Sequence, residues 1–382
     1  MHTLTGLNPL DGRGIEISVR DGIIHGIGPG RCDEDVWLSA GFVDLQVNGY
    51  GGDDVNADEP SPETIISLTK KMIGLGVTTY LPTIITAPET EIIARLRAIA
   101  KARAVSPLVA GCVPFVHVEG PHLSPLDGYR GAHALEEIRP PDLAEFSRWQ
   151  EACGGLVGMV TLSPHFESSE EYVAGVTKLG VHVALGHTHA SAEEIRRAVD
   201  AGARLSTHLG NGIDRLIPRH LNPLWPQLAE DRLTATFIAD GHHLPAEALK
   251  AMIRAKGVAR CILVSDTVAV AGMAAGSYST PVGGQVALQP DGRLCLAGTE
   301  FLAGAAVPLK DGIARASTMA GISLGNSVRM ATVNPGRFAG GVGELKVGMR
   351  ADLVRFRMGS GGMALGIERV LVKGEEWDLE SA

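Results

Sequence analysis

Histidines, carboxylates and amides recur at the ends of short apolar runs along this chain. Glu119 closes Val116-His117-Val118, His187 follows Val183-Ala184-Leu185-Gly186, His208 follows Leu205-Ser206-Thr207, and Asp266 follows Ile262-Leu263-Val264-Ser265. Ser163 and His165, His189, Asn211, and Asp240 with His242 and His243 stand in comparable places. Packing gives an apolar strand no reason to end repeatedly in His, Glu or Asp, which are mostly surface or paired residues. Glu119, His187 and His208 together offer one carboxylate and two imidazoles. A hydrolytic divalent-metal site needs three such donors and one position left for water. Asp266 has two readings, an N-cap for the segment that follows or a base that takes a proton from water at such a site. Gln46 and Asn48 are two apart at the end of the run beginning at Phe42, so a strand points both to one face. Two histidines at that spacing would bind a metal; two amides raise the question of what replaced them.

The elements that must carry these residues are eight strand-like runs. They are Phe42 to Val47, Val77 to Thr83, Cys112 to Glu119, Leu156 to Leu162, Val181 to His187, Ala203 to His208, Thr234 to Asp240 and Cys261 to Asp266. Helix-period segments separate most of them. Ser61-Pro62-Glu63 is a capping serine with Pro at the first helical position, Ser191-Ala192-Glu193-Glu194 has the capping-box spacing, and Pro245-Ala246-Glu247 opens a third helix. The stretch with Pro218, Pro223 and Pro226 reads largely as loop. Apolar strands alternating with helices predict parallel units, and eight of them predict an α/β fold of the (β/α)₈ type with its site at the strand C-termini. Both ends differ. Ile15 to Val19 and Ile23 to Ile27 flank an Asp21-Gly22 turn, and strands are expected at Ala351 to Phe356 and Ile367 to Val372. The expected organisation is a small β-sandwich domain from residues 1–40 and 346–382 beside a barrel of residues 41–345. A hairpin around Pro290-Asp291-Gly292 follows the eighth strand.

With 34 basic against 43 acidic residues the net charge is −9, and no Lys/Arg block is interleaved with aromatics. Neither nucleic acid nor a membrane surface is an expected partner. The five cysteines form no C-x-x-C pair and read as free thiols of a reducing compartment. No basic segment followed by an apolar stretch opens the chain, so the expected location is cytoplasmic.

The motifs DLQVNGYGG (44–52), HVEGP (117–121), GHTHA (186–190), THLGN (207–211), IADGHH (238–243) and LVSDT (263–267) follow one order. That order resembles the N-acetylglucosamine-6-phosphate deacetylases of the amidohydrolase superfamily. ATVNPGRFAG (331–340) and GELKVGMRADLV (343–354) resemble the superfamily's closing segment, so the likeness covers nearly the whole chain. It implies that Glu119, His187 and His208 hold the metal, that Asp266 is the catalytic acid/base, and that His133 polarises the scissile carbonyl. It implies further that Ala132, Asn211, Gly212, His243, Leu302, Ala303 and Gly304 line the substrate pocket. Arg219 falls where the family places an arginine on the substrate phosphate, in some members across a homodimer interface; a free exposed loop arginine is the other reading. Some of these deacetylases carry Gln-x-Asn where relatives carry His-x-His. Amides are weak neutral ligands, so Gln46 and Asn48 imply a vestigial second metal site. One divalent ion is then expected, Zn²⁺ or else Fe²⁺ or another. The small-molecule substrate implied is N-acetylglucosamine 6-phosphate, and the products are acetate and glucosamine 6-phosphate.

The chain departs from the family pattern at His122, at His165 and in LIPRHLNPLWPQ (216–227), which are expected to surround the pocket. Two alternatives follow, an amidohydrolase acting on another N-acyl or cyclic amide substrate and a non-catalytic barrel scaffold.

Overall fold

A computed structural model describes residues 2–32, 35–280 and 284–379. Eight parallel strands lie side by side in chain order: Phe42–Val47, Val77–Ile85, Val116–Glu119, Val157–Leu162, His182–Leu185, Leu205–Ser206, Thr234–Ile238 and Cys261–Val264. Each expected run supplies one of them. Val43, Leu45, Leu81, Met159, Ala184, Leu205, Ile238 and Ile262 form one buried cluster, and a larger cluster packs the strands against the surrounding helices. Burial on both faces is why these strands read as nearly continuous apolar runs.

Between the first and eighth strands the ladder thins to isolated contacts. The Asp266 N–H donates to the Gln46 carbonyl (3.0 Å) and the Asn48 N–H to the Thr267 carbonyl (2.8 Å). The Ser265 N–H donates to Asp44 Oδ1 (3.1 Å), so a side chain takes the place of a rung. Helix starts follow the local signals. Ser61 Oγ accepts from the Thr64 N–H at the start of Pro62–Gly74, and Ser191 with Glu194 forms a reciprocal capping box at Ala192–Ala201. The proline-rich stretch holds one short helix, Leu224–Ala229.

The terminal segments supply seven strands of one sheet, His2–Leu7, Gly14–Arg20, Ile23–Pro29, Trp37–Ala40, Leu353–Met358, Leu365–Val372 and Glu375–Trp377. Leu4, Ile17, Val19, Ile24, Leu38, Leu353 and Leu371 share its core. Its other side meets the barrel, where the Phe42 and Phe356 rings are 5.9 Å apart. Residue 1, residues 33–34 and residues 380–382 of the expected small domain lie outside the described residues. The hairpin after the eighth strand has a third strand beside it: Gly276–Thr280 pairs with Gly284–Leu288, which pairs with Leu294–Leu296. The sequence GSYST is polar and largely exposed and carries no apolar alternation by which to find it.

Candidate active site

Five of the singled-out residues converge at the strand C-termini. Glu119 Oε1 is 3.0 Å from His208 Nε2 and 3.6 Å from His187 Nε2, and all three side chains are buried. Ligand atoms about 2.1 Å from a tetrahedral ion are about 3.4 Å from one another. The two separations from Glu119 straddle that value, as expected of donors to one small divalent cation. His187 Nδ1 lies 2.9 Å from the Tyr129 carbonyl, which can only accept; Nδ1 therefore carries the proton and Nε2 keeps its lone pair for the centre. The ring of His133 meets that of His187 edge-on at 4.5 Å. Among the described residues, the three whose ligand atoms all lie within 4.8 Å of one another are Glu119, His133 and His187, so His133 borders the same centre, which the expected ligand His208 reaches through its contact with Glu119.

The electrostatics agree with that arrangement. Burial would raise the Glu119 carboxyl, but hydrogen bonds and charge from His187 and His208 outweigh it and hold the group well below the usual carboxylate range. Burial pushes the His133 imidazole down to about 3, with the His187 charge adding to it, so this ring is neutral. Burial raises Asp266 to about 6, which His208 partly opposes. Asp240 is buried too, yet His243 Nδ1 at 2.6 Å and the N–H groups of His242 and His243 hold it down to about 2.

The amides answer the question that their spacing posed. Gln46 Nε2 donates to Glu119 Oε2 (2.9 Å) and Asn48 Nδ2 to Asp266 Oδ1 (2.8 Å). Each ties down one oxygen of a carboxylate; the other Glu119 oxygen faces His187 and His208. Backbone conformation marks the same residues. His187, His208 and Asp266 have φ of +47°, +28° and +51°. Non-glycine residues seldom adopt such values, at a cost of about 1–3 kcal/mol each, and the cost is met where surroundings fix a functional side chain.

A cavity of about 470 Å³ opens above these groups. Asn48, Glu119, His133, His187, His208 and Asp266 line its inner part. Ala132, Asn211, Gly212 and His243 form further wall, as do Leu302, Ala303 and Gly304. Gln46 is buried behind Glu119 and does not reach the cavity. Arg219 does not line it either: its side chain is exposed, and its carbonyl accepts from Trp225 Nε1 (3.1 Å). His122 and His165, expected around the pocket, do not line it. His122 stacks on Trp149 (5.8 Å) and meets Tyr172 edge-on (5.2 Å) behind the third strand. His165 packs between Phe166 and His189. The thickly packed aromatics explain why a histidine is held there: burial keeps His122 neutral, pushed down to about 4. His117 lies beneath the site, 2.8 Å from Thr161 Oγ1 and 3.2 Å from the Leu45 carbonyl, and supports the strand floor.

Sequence reasoning passed over Thr86, whose Oγ1 is 2.8 Å from His133 Nδ1, and Arg215, Arg293 and Phe301, which line the outer cavity. Thr86 follows the second strand directly and could have been found as a polar strand end. The other three lie in loops without periodicity.

Comparison with known proteins agrees with the geometry. The amidohydrolase family pattern matches residues 37–376. The chain is 30% identical over 330 residues to the N-acetylglucosamine-6-phosphate deacetylase of Bacillus subtilis (strain 168), covering 85% of this chain and 81% of that one. It is also 30% identical over 368 residues to the N-acetylgalactosamine-6-phosphate deacetylase of Escherichia coli O157:H7, 94% of each chain. A solved structure of a Mycobacterium smegmatis N-acetyl-D-glucosamine-6-phosphate deacetylase variant, in complex with N-acetyl-D-glucosamine-6-phosphate, superposes with a TM-score of 0.85 at 28% identity. The match spans 95% of this chain and 94% of that one.

Proposed function

This chain belongs to the amidohydrolase family, and from that premise we propose that it removes the N-acetyl group of N-acetylglucosamine 6-phosphate, releasing acetate and glucosamine 6-phosphate. The observation that carries the reading is the convergence of Glu119, His187, His208 and Asp266 at the floor of one cavity, in a chain with deacetylase relatives along most of its length. Glu119, His187 and His208 would hold one divalent ion, taken to be zinc. When bound, that ion supplies Lewis acidity and lowers the pKa of water.

The chain's own groups do the rest. Asp266, with Oδ1 fixed by Asn48, has Oδ2 available to take the proton from the attacking water. The same carboxyl then hands that proton to the departing amine, which leaves as glucosamine 6-phosphate. A Thr86 hydroxyl donating to His133 Nδ1 leaves the ring proton on Nε2, where it can donate to the acetamide oxygen as negative charge builds there. Neutrality of His133 suits this role, because a charged ring beside the cation would be repelled. The fixed amides Gln46 and Asn48 do by hydrogen bonding what a second cation would do by charge. A homodimer and a cytoplasmic location complete the reading; Leu216, Leu221 and Trp225 are exposed beside Arg219, as a subunit contact would require.

The test is acetate release by zinc-loaded protein from N-acetylglucosamine 6-phosphate, its galacto epimer and unphosphorylated N-acetylglucosamine. Preference for the gluco phosphate supports the proposal. Preference for the galacto epimer moves the substrate to the other hexosamine. No release from any of the three, with metal bound, overturns it.

A further inference from the structure

The segment 187–189 is gripped from two sides, and the grip uses two histidines that the reaction does not. Thr188 is buried, and its Oγ1 accepts from Ser163 Oγ (2.8 Å) and from the Ala190 N–H (3.0 Å). With its proton spent there, Ser163 Oγ can only accept from His165 Nδ1 at 2.7 Å. The His165 ring packs in turn on that of His189, 4.4 Å between centroids. On the other side the Ser124 N–H donates to the His187 carbonyl (2.9 Å). Ser124 Oγ accepts from the Leu126 N–H (3.2 Å) and lies 2.7 Å from His189 Nδ1. Among the described residues Ser124 Oγ has no further partner, so its proton goes to His189 Nδ1.

From Ser124 the chain runs to Gly131 without helix or strand, and residues 125–128 are exposed. Yet Tyr129, within this loop, supplies the carbonyl that takes the His187 Nδ1 proton (2.9 Å). Arg130 Nη1 donates to the His133 carbonyl (2.9 Å), so the same loop also steadies the approach to His133. An exposed loop has little packing of its own with which to keep one carbonyl in place. Its ends must do so. Ser124 is fully buried at one end, and at the other the Tyr129 ring meets the His189 ring at 6.0 Å and 64°. His189 therefore touches the loop at both ends. It does not line the cavity, so any effect it has on the site passes through the loop.

We propose that His189 and Ser124 form a positioning pair that fastens the 124–131 loop across the site and keeps the Tyr129 carbonyl on the His187 imidazole; this rests on the metal reading above. An acceptor on the outer nitrogen of a metal-binding imidazole fixes the ring and its tautomer, and losing such support costs about 10- to 100-fold in metal affinity.

The deciding experiment loads wild type, His189→Asn and His189→Phe with zinc and follows its transfer to an excess of a chromophoric chelator. Asparagine offers an amide oxygen near the place of Nδ1, whereas phenylalanine keeps a ring and has no acceptor. His189→Phe should lose zinc about ten-fold or more faster than wild type, and His189→Asn at close to the wild-type rate. The proposal is overturned if His189→Phe retains zinc as wild type does, or if His189→Asn loses it as fast as His189→Phe. Should His189→Phe not fold, Ser124→Ala removes the same bond from the loop side and should hasten zinc loss equally; an unchanged rate overturns the pair. If wild type takes up no zinc, the metal reading has failed on its own. Hydrogen–deuterium exchange then judges the loop. Faster exchange over residues 124–131 in His189→Phe than in His189→Asn sustains the fastening, and equal exchange removes it.

Discussion

The two ends of the cavity are built on opposite terms. At the inner end Glu119, His133, His187 and His208 are buried and Asp266 is half-buried; all come from separate elements and are anchored by named partners such as Gln46, Asn48, Thr86 and the Tyr129 carbonyl. At the outer end Arg215, Glu300 and Phe301 stand on loops, largely exposed, held by one long ion pair and one ring contact. The difference separates two jobs. Bond breaking needs groups placed to a fraction of an ångström before the substrate arrives. Admitting the rest of a substrate needs polar groups within reach and some freedom to close on it. Rigid strand ends and adaptable loops therefore divide chemistry from selectivity, as barrels of this type commonly do.

Breaking the inner end should cost most. His187→Ala or His208→Ala is expected to drop bound divalent metal, read by atomic emission, well below one ion per chain and to reduce acetate release by at least about a thousand-fold. Full metal content in both variants would mean that Glu119 and His133 hold the ion with another partner. Next comes Asp266→Asn, which keeps the Asn48 contact in shape but removes the base. Its kcat should fall about 10²- to 10⁴-fold while metal content stays at the wild-type level. A near-normal kcat would return Asp266 to the capping reading. At the outer end the effects are smaller. Phe301→Ala removes the platform beneath Arg215, worth about 0.5–1 kcal/mol at an exposed site. KM for the phosphorylated sugar should rise about two- to five-fold with kcat hardly altered. An equal change in both parameters would show that Phe301 serves the reaction centre instead.

The smallest effect on rate concerns the floor of the inner end. Burial raises Asp44 to about 7 from an ordinary 3.8, and its Oδ2 has no hydrogen-bond partner among the described residues. A carboxyl whose folded pKa is raised stabilises the fold most below its unfolded pKa. That stability is lost as pH rises from about 4 through about 7. Asp44→Asn keeps an oxygen for the Ser265 and Gln46 N–H groups and has no charge to bury. Its Tm should gain on wild type by a few degrees between about pH 5 and about pH 8, with acetate release little changed. A difference in Tm that does not vary with pH would remove charge burial as the cause.

The same division explains what could be read in advance. Eight apolar runs, five of them ending in His, Glu or Asp, expose the barrel and its inner end because strand burial and strand-end chemistry both leave marks within a few residues. His133 came from resemblance alone, since a loop residue with no periodic context has no local signature. Arg215 lines the cavity four residues before Arg219, on an irregular, proline-rich loop with no period to say in advance that the side chain of Arg215 faces it. Its partner Phe301 arrives from a segment more than eighty positions later, beyond a hairpin whose first strand, Gly276–Thr280, is itself polar. His122 and His165 misled for the opposite reason. Unusual residues beside a motif suggested the pocket, whereas aromatic packing behind the strands accounts for them.

The left-handed backbone at His187, His208 and Asp266 has a consequence for how this chain can change. At each of those positions glycine would relax the main chain and erase a working side chain in the same step. Selection for heat resistance alone would therefore favour inert descendants, and mutational drift without demand for acetate release would empty the floor of the cavity before it loosened the barrel. Heat tolerance and turnover are set against each other at three residues, and nowhere in the molecule would a screen for sturdier variants discard its purpose faster.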